Sequence, residues 1–279
     1  MFKFAYNMLV YWGEPVEKGI ERLAKFGYDG VEFAGEPSAH DTQKIRQLLE
    51  KFRLKAAAIC SIYTAERDLA STKEEVRKNA LSYLKSVIKM ASELGEGVVV
   101  VVAPSACMKT TSDIPREEEE RWVIPAIQEA ADYAGRLNVR LALEPWNRYE
   151  TYFLNRCEQA LELQRKIGRP NVGIWLDTFH MNIEEKSIPD AIKLAGENLF
   201  HLHVADSNRA APGCGHLDFK PIIQVLKEIN YGGYISMELL PAAANPFKVL
   251  ESGGGEEFYD KYTEQSIKYL KSLIASMGI

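Results

Sequence analysis

Along this chain, short apolar runs alternate with stretches whose apolar residues recur every three or four positions, the signatures of buried strands and amphipathic helices. Residues 2–7 alternate and predict a first strand; Val16, Ile20 and Leu23 then follow Pro15 at helical spacing and stop at Gly27. A second strand is expected over 30–34, then a helix capped by Asp41 with Ile45, Leu48, Leu49 and Phe52 on one face. A third strand covers 54–61. Ser71 and Glu74 have the spacing of a capping box for a long helix through Val76, Leu84, Val87, Ile88 and Leu94. The fourth strand, 98–103, is apolar on both faces, as a parallel sheet requires. A helix over 116–137 opens with the acidic run 117–120, expected to be exposed, and contains Pro125, expected to kink or split it.

Four more strands are predicted at 139–144, 172–177, 199–203 and 234–238. Between them come a helix capped by Asn155 with Glu158 in its first turn, a short one near Ile188, and one begun by Asp218; a last helix runs from about Glu256. Strand and helix thus alternate eight times with no break in composition. That pattern predicts an α/β fold, one (β/α)8 TIM barrel occupying residues 1–279 as a single domain. An open doubly wound sheet is the alternative, but no G-x-G-x-x-G follows the first strand.

The later strands share a further feature. Those of 139–144, 172–177, 199–203 and 234–238 end in Glu144, Asp177, His203 and Glu238, and Pro145 stops the first of them directly after its carboxylate. Functional groups of a (β/α)8 barrel sit at the C-terminal strand ends, so these four are neighbours around half the rim. Crowded carboxylates repel one another unless something positive lies among them. One imidazole with three carboxylates suits a divalent ion, Mn2+ or Mg2+, with Co2+ and Zn2+ as alternatives. Taken singly, a strand-end carboxylate is more often a cap and a strand histidine more often a core residue; four at successive strand ends are hard to dismiss. His201 lies on the same strand face as His203 and is expected to be a hydrogen-bonded core histidine, with support of the metal site as the alternative. Glu150, His180 and Arg209 follow the predicted ligands closely, on loops over the barrel mouth, where they can meet a polar substrate.

Composition narrows the partners. A net charge of −5 with no basic block argues against a nucleic-acid backbone or an anionic membrane. Residues 98–103 are too short to span a bilayer, and the start of the chain has no apolar signal core. Cys60, Cys107, Cys157 and Cys214 are scattered without metal spacing, so free thiols and a cytoplasmic location are expected.

The segments L-E-P-W-N-R-Y-E, L-D-T-F-H, H-V-A-D-S-N-R and S-M-E resemble the ketose 3-epimerase family, the group containing D-tagatose and D-psicose 3-epimerases, among the xylose-isomerase-like barrels. The resemblance covers essentially the whole chain. It implies that Glu144, Asp177, His203 and Glu238 bind one divalent metal, commonly Mn2+, and that Glu144 and Glu238 are an acid/base pair. It implies too that Glu150, His180 and Arg209 hold substrate hydroxyls, and that the chain assembles as a homodimer or homotetramer. The expected reaction inverts C3 of an unphosphorylated ketose or keto-sugar acid through a cis-enediolate. The residues suit that chemistry in their own right: Glu144 and Glu238 come from the outer two of the four strands and can flank a substrate carbon.

Inosose dehydration and aldose–ketose isomerisation on the same metal site are the alternatives. An endonuclease IV-type enzyme needs histidines where strands two and three here present Glu32 and Cys60, and a retired sugar-binding barrel has no need of both flanking carboxylates. Gly253-Gly-Gly255 precedes the last helix, where many barrels bind phosphate, but Glu256 and Glu257 fill that helix's first turn and oppose an anion. Lys109, Arg148 and Arg209 are candidates for a positive rim that would take a carboxylate instead.

Overall fold

The computed structural model describes residues 2–11, 13–112, 114–241, 248–249, 252 and 256–279, with only the backbone of Glu256 and Glu257. Trp12 and the triglycine at 253–255 therefore lie outside the described residues, as do the side chains of Glu256 and Glu257 set against a phosphate. Eight strands, β1 (Lys3–Asn7), β2 (Gly30–Gly35), β3 (Lys55–Ser61), β4 (Val99–Val102), β5 (Arg140–Leu143), β6 (Val172–Asp177), β7 (Leu199–Val204) and β8 (Tyr234–Met237), close into a barrel in chain order. Every neighbouring pair, β8 with β1 included, is parallel. The helices are α1 (Val16–Phe26), α2 (Thr42–Phe52), α3 (Glu74–Leu94), α4 (Arg116–Arg136), α5 (Cys157–Ile167), α6 (Thr178–Glu184), α7 (Ile188–Ala195), α8 (Phe219–Glu228) and α9 (Glu256–Ser276). No helix among the described residues is long and apolar enough to cross a membrane.

Most local signals act as their chemistry dictates. Gly27 ends α1 in the left-handed conformation at φ 78°, and Asp41 caps α2 by accepting from the Lys44 amide. Three expectations need correcting, and one of the two outcomes set for Pro125 drops out. Ser71 and Glu74 form no capping box: α3 begins at Glu74 itself, whose carboxylate pairs with Lys78 one turn on. Asn155 does not cap α5; its amide ties Trp146 and Thr151 carbonyls together, while the Gln159 side chain accepts from the Asn155 and Arg156 amides. Pro125 does not split α4, which is continuous through it and buries Val123, Ile127, Ala130, Ala131 and Ala134 on one face. In the acidic first turn, Glu119 points inward, accepting from Ser112 Oγ at 2.6 Å and from the Tyr152 hydroxyl.

Two layers make most of the core, with Tyr63, Ala103 and Trp146 forming a small third cluster. The larger fills the space between strands and helices; the smaller lies inside the barrel, where Ala58, Val99, Val101, Ala142 and Trp175 pack together. Side chains two apart on a strand share a face, so residues two beyond Ala142 and Trp175 stay on the interior side. Those residues are Glu144 and Asp177. Register sets the other half: the β6–β7 ladder runs Ile174 with Leu199 and then Trp175 with His201, leaving one extra residue in β7. A similar shift in β2–β3 falls between Val31 and Glu32. Such irregularities re-aim side chains beside active sites, and here they precede Glu32, His201 and His203.

At the end of β2 the packing is tight enough to test. A Cβ on Gly35 would sit 2.8 Å from the Ser61 Cα and 2.9 Å from the Tyr83 hydroxyl, which itself donates to the Gly35 carbonyl at 2.6 Å. Gly35→Ala is expected to cost about 2 kcal/mol, in the range of overpacked cores, read as a lower urea midpoint with unchanged slope.

Candidate active and metal site

Glu144 and Glu238 follow directly on β5 and β8, their amides held by the Val102 and Val204 carbonyls of the preceding strands. Asp177 and His203 are register partners on β6 and β7. All four side chains are buried: Asp177 and His203 are fully so, and Glu144 and Glu238 are 4% and 8% exposed.

Each has one atom tied down and another facing a common centre. His203 Nε2 lies 2.8 and 2.9 Å from the two Glu32 oxygens, while Glu144 Oε2 accepts from the Trp146 indole at 2.7 Å. Asp177 Oδ1 caps α6 by accepting from the Phe179 amide at 2.8 Å, and Glu238 Oε1 accepts from Asn7 Nδ2 at 2.8 Å. Facing the centre, His203 Nδ1 is 3.3 Å from Glu238 Oε2, 3.8 Å from Glu144 Oε1 and 4.0 Å from Asp177 Oδ2. That nitrogen is buried and has no hydrogen-bond partner. An unpartnered imidazole nitrogen turned toward three carboxylate oxygens fits a divalent cation.

The carboxylates differ in charge state. Burial pushes Glu144 well above the usual carboxylate range, and the Glu238 and Asp177 charges add to it against the pull of His203. Burial also opposes ionisation of Glu238, but His203 and Arg209 outweigh it and bring that group down to about 2. Arg209 bridges Asp177 Oδ2 and Glu238 Oε2 through its two terminal nitrogens, with its guanidinium 4.7 Å from the Phe179 ring. Its turn is built on buried Asp206, whose carboxylate accepts from the Ser207, Gly213 and Leu217 amides.

Of the other predicted residues, His180 is not on a loop: it sits buried in the first turn of α6, with Nε2 3.7 Å from Asp177 Oδ2. Its Nδ1 accepts from the Asn147 side chain at 2.8 Å, so its N–H is on the Nε2 side. The same Asn147 amide donates to Glu150 Oε1 at 2.8 Å, joining those two predicted contacts. The proposed positive rim is different from what was expected. Lys109 is paired with Asp68 at 2.8 Å and Arg148 with Glu184 at 2.9 Å, so among the three only Arg209 reaches the centre. A cavity of about 990 Å³ lies at the opposite, N-terminal end of the barrel, lined by Lys3, Lys55 and Arg140 among others, and touches none of these groups.

His201 is a buried, hydrogen-bonded histidine as expected: its Nε2 is 3.0 Å from Glu32 Oε2. Glu32, Asn7, Trp146 and Asn147 are the site residues that pattern reading passed over. For Glu32 a signal existed, a lone carboxylate inside the apolar strand V-E-F. Trp146 and Asn147 stand in the motif L-E-P-W-N-R-Y-E, two residues from Glu144 and three from Glu150, whereas Asn7 depends on a partner across the barrel.

Residues 20–273 match the family model for xylose isomerase-like TIM barrels. The L-ribulose 3-epimerase of Methylomonas sp. (strain DH-1) is 32% identical over 241 residues, covering 85% of this chain and 84% of that protein. The chain belongs to the ketose 3-epimerase family. Another member, the D-psicose 3-epimerase of Ruminiclostridium cellulolyticum, is 29% identical over 287 residues, 95% of either chain. The crystal structure of a D-allulose 3-epimerase from Methylomonas sp. in complex with D-allulose superposes with a TM-score of 0.85 at 26% identity, covering 97% of this chain and 96% of that one.

Proposed function

We propose that this chain, one barrel over residues 1–279, is a carbohydrate epimerase that inverts C3 of an unphosphorylated ketose or keto-sugar acid, with one divalent ion, Mn2+ foremost, held by Glu144, Asp177, His203 and Glu238. The observation that carries the reading is the unpartnered His203 Nδ1 turned toward three carboxylates whose far oxygens are anchored. When bound, the ion supplies positive charge that stabilises the enediolate as it develops beside the ketone. Glu238, ionised beside His203 and Arg209, is the base that takes the C3 proton onto a carboxylate oxygen. Glu144, which gives up its own proton when the ion enters, takes the proton of the C3 hydroxyl and returns it to the other face of C3, and the proton held by Glu238 goes back to that hydroxyl. The roles exchange in the reverse direction. His180 offers its Nε2–H, and Glu150 and Arg209 offer a carboxylate and a guanidinium, to the substrate hydroxyls. The ion pairs of Lys109 and Arg148 favour an uncharged ketose over a phosphate ester. The family relatives named above support a ketose in particular, and free Cys60, Cys107, Cys157 and Cys214 support a reducing, cytoplasmic setting. Assembly as a homodimer or homotetramer completes the reading.

The test is incubation with Mn2+ in D2O of a ketohexose, its terminal phosphate and the matching ketohexonate, with deuterium at C3 read by NMR. Exchange into the free ketose or the ketohexonate is expected. No exchange into any of the three, or a phosphate preferred tenfold or more, overturns the proposal.

A smaller effect isolates the Trp146 indole. Trp146→Phe keeps an aromatic ring, smaller than the indole, and removes the N–H that lies 2.7 Å from Glu144 Oε2. A hydrogen bond to a charged acceptor contributes about 1.5–3 kcal/mol, so kcat is expected to fall by roughly tenfold or more. The Trp146 contact holds the Glu144 carboxyl down, so the limb of the pH profile that reports Glu144 is expected to move to higher pH. An unmoved profile with unchanged kcat would remove Trp146 from the machinery.

A further inference from the structure

Beneath the four ligating groups lies a carboxylate that the reaction itself does not use. Glu32, fully buried on β2, takes every donor around it: His203 Nε2 at 2.8 and 2.9 Å, His201 Nε2 at 3.0 Å and Ser236 Oγ at 2.7 Å. An ionised carboxylate only accepts, so both imidazoles must present Nε2–H to it. A neutral His203 with its proton on Nε2 keeps a lone pair on Nδ1, and Nδ1 is the unpartnered nitrogen that faces Glu144, Asp177 and Glu238. Three strands meet at this carboxylate, and the β2–β3 and β6–β7 ladders each slip by one residue just where Glu32 and His201 turn inward.

We propose that Glu32 is the positioning residue of the metal centre: it fixes the tautomer and ring orientation of His203 so that Nδ1 is the ligating atom, with His201 and Ser236 holding Glu32 in turn. This rests on the reading of Glu144, Asp177, His203 and Glu238 as metal ligands. Carboxylates behind metal-bound histidines raise the basicity of the ligand and fix its direction, and their loss weakens binding by about 10- to 100-fold. Glu32→Gln is a sharp probe because the side-chain amide has only one acceptor. Its NH2 would meet a ring N–H, a clash relieved only when an imidazole moves its proton to Nδ1. In His203 that proton would lie where the ion belongs.

Mn2+ affinity, measured by titration calorimetry on wild type, Glu32→Gln and His203→Ala, is expected to fall by about 10- to 100-fold in Glu32→Gln and further in His203→Ala. A second measurement needs no change at residue 32. In wild type labelled with 15N-histidine and loaded with Zn2+, the His203 signals, identified by their loss in His203→Ala, are expected to show the proton on Nε2 and none on Nδ1. A His203 that keeps its proton on Nδ1 in the Zn2+-loaded protein, or Glu32→Gln binding Mn2+ as wild type does while His203→Ala fails to, overturns the Glu32 inference and leaves the ligand set standing. Wild type that binds no Mn2+ overturns both.

Discussion

Glu238→Gln is expected to lower kcat by at least about 100-fold at saturating Mn2+, the usual contribution of a general acid–base group, with the barrel intact. Saturation matters because the substitution also touches the ion. Asn7 Oδ1 accepts from the Leu9 amide at 2.9 Å, which fixes the Asn7 side chain with its NH2 toward residue 238. The introduced amide must turn its oxygen to that NH2, and its own NH2 then faces the centre where Glu238 Oε2 lay 3.3 Å from His203 Nδ1. Weaker Mn2+ binding is therefore part of the expected result, and excess Mn2+ separates it from loss of the proton carrier. Glu144→Gln faces the same conflict with the Trp146 indole and is expected to behave alike. Near wild-type turnover of either variant with the ion bound would remove that glutamate from its acid/base role.

Why these two glutamates could be found in the sequence, and Asn7 and Glu32 could not, follows from how each is fixed. Glu144 and Glu238 are marked locally, by an apolar run that stops at a carboxylate, and four such endings in successive strands are legible without knowing how the strands pair. The barrel itself was legible for the same reason, since each strand and helix carries its own period and most carry a Gly, Pro or Asp stop. Asn7 and Glu238 are 231 positions apart, and Glu32 and His203 171 apart; their meeting is decided by closure of β8 on β1 and by two ladder slips that leave no mark in the pattern. Charge is legible only as an inventory. Lys109 and Arg148 read as rim cations, but Asp68 and Glu184 engage them. Glu119 reads as solvated, yet Ser112 and Tyr152 draw it inward. The short helix α6 leaves little trace in the sequence because its cap, Asp177, is also a site residue, so the motif L-D-T-F-H reads as a strand end and a loop.

Removal of divalent ions by a chelator is expected to abolish C3 exchange, and Mn2+ or Co2+ to restore it far better than Ca2+. Ca2+ takes six to eight oxygen ligands in loose geometry, whereas one imidazole nitrogen with three carboxylates suits a transition ion. The stripped protein is expected to stay folded, because Arg209 already bridges Asp177 and Glu238 and moderates their repulsion. Readdition of Mn2+ at about 100 times its dissociation constant stabilises by about 2.7 kcal/mol, which for a chain of this size raises Tm by roughly 5 °C. The pH dependence has a definite sign. Burial and the neighbouring carboxylates raise Glu144, and against its burial Glu32 and Glu238 hold His203 well above the usual imidazole range, so both groups give up a proton when the ion enters. Mn2+ affinity is therefore expected to rise with pH until both have lost their protons in the free protein and to level off above that point. Proton release, read by calorimetry in two buffers of different ionisation heat, checks the same step. Full exchange activity in chelator-treated protein shown to hold no metal would sink this account, and affinity that falls as pH rises would sink the assignment of Glu144 and His203 as ligands protonated in the free protein.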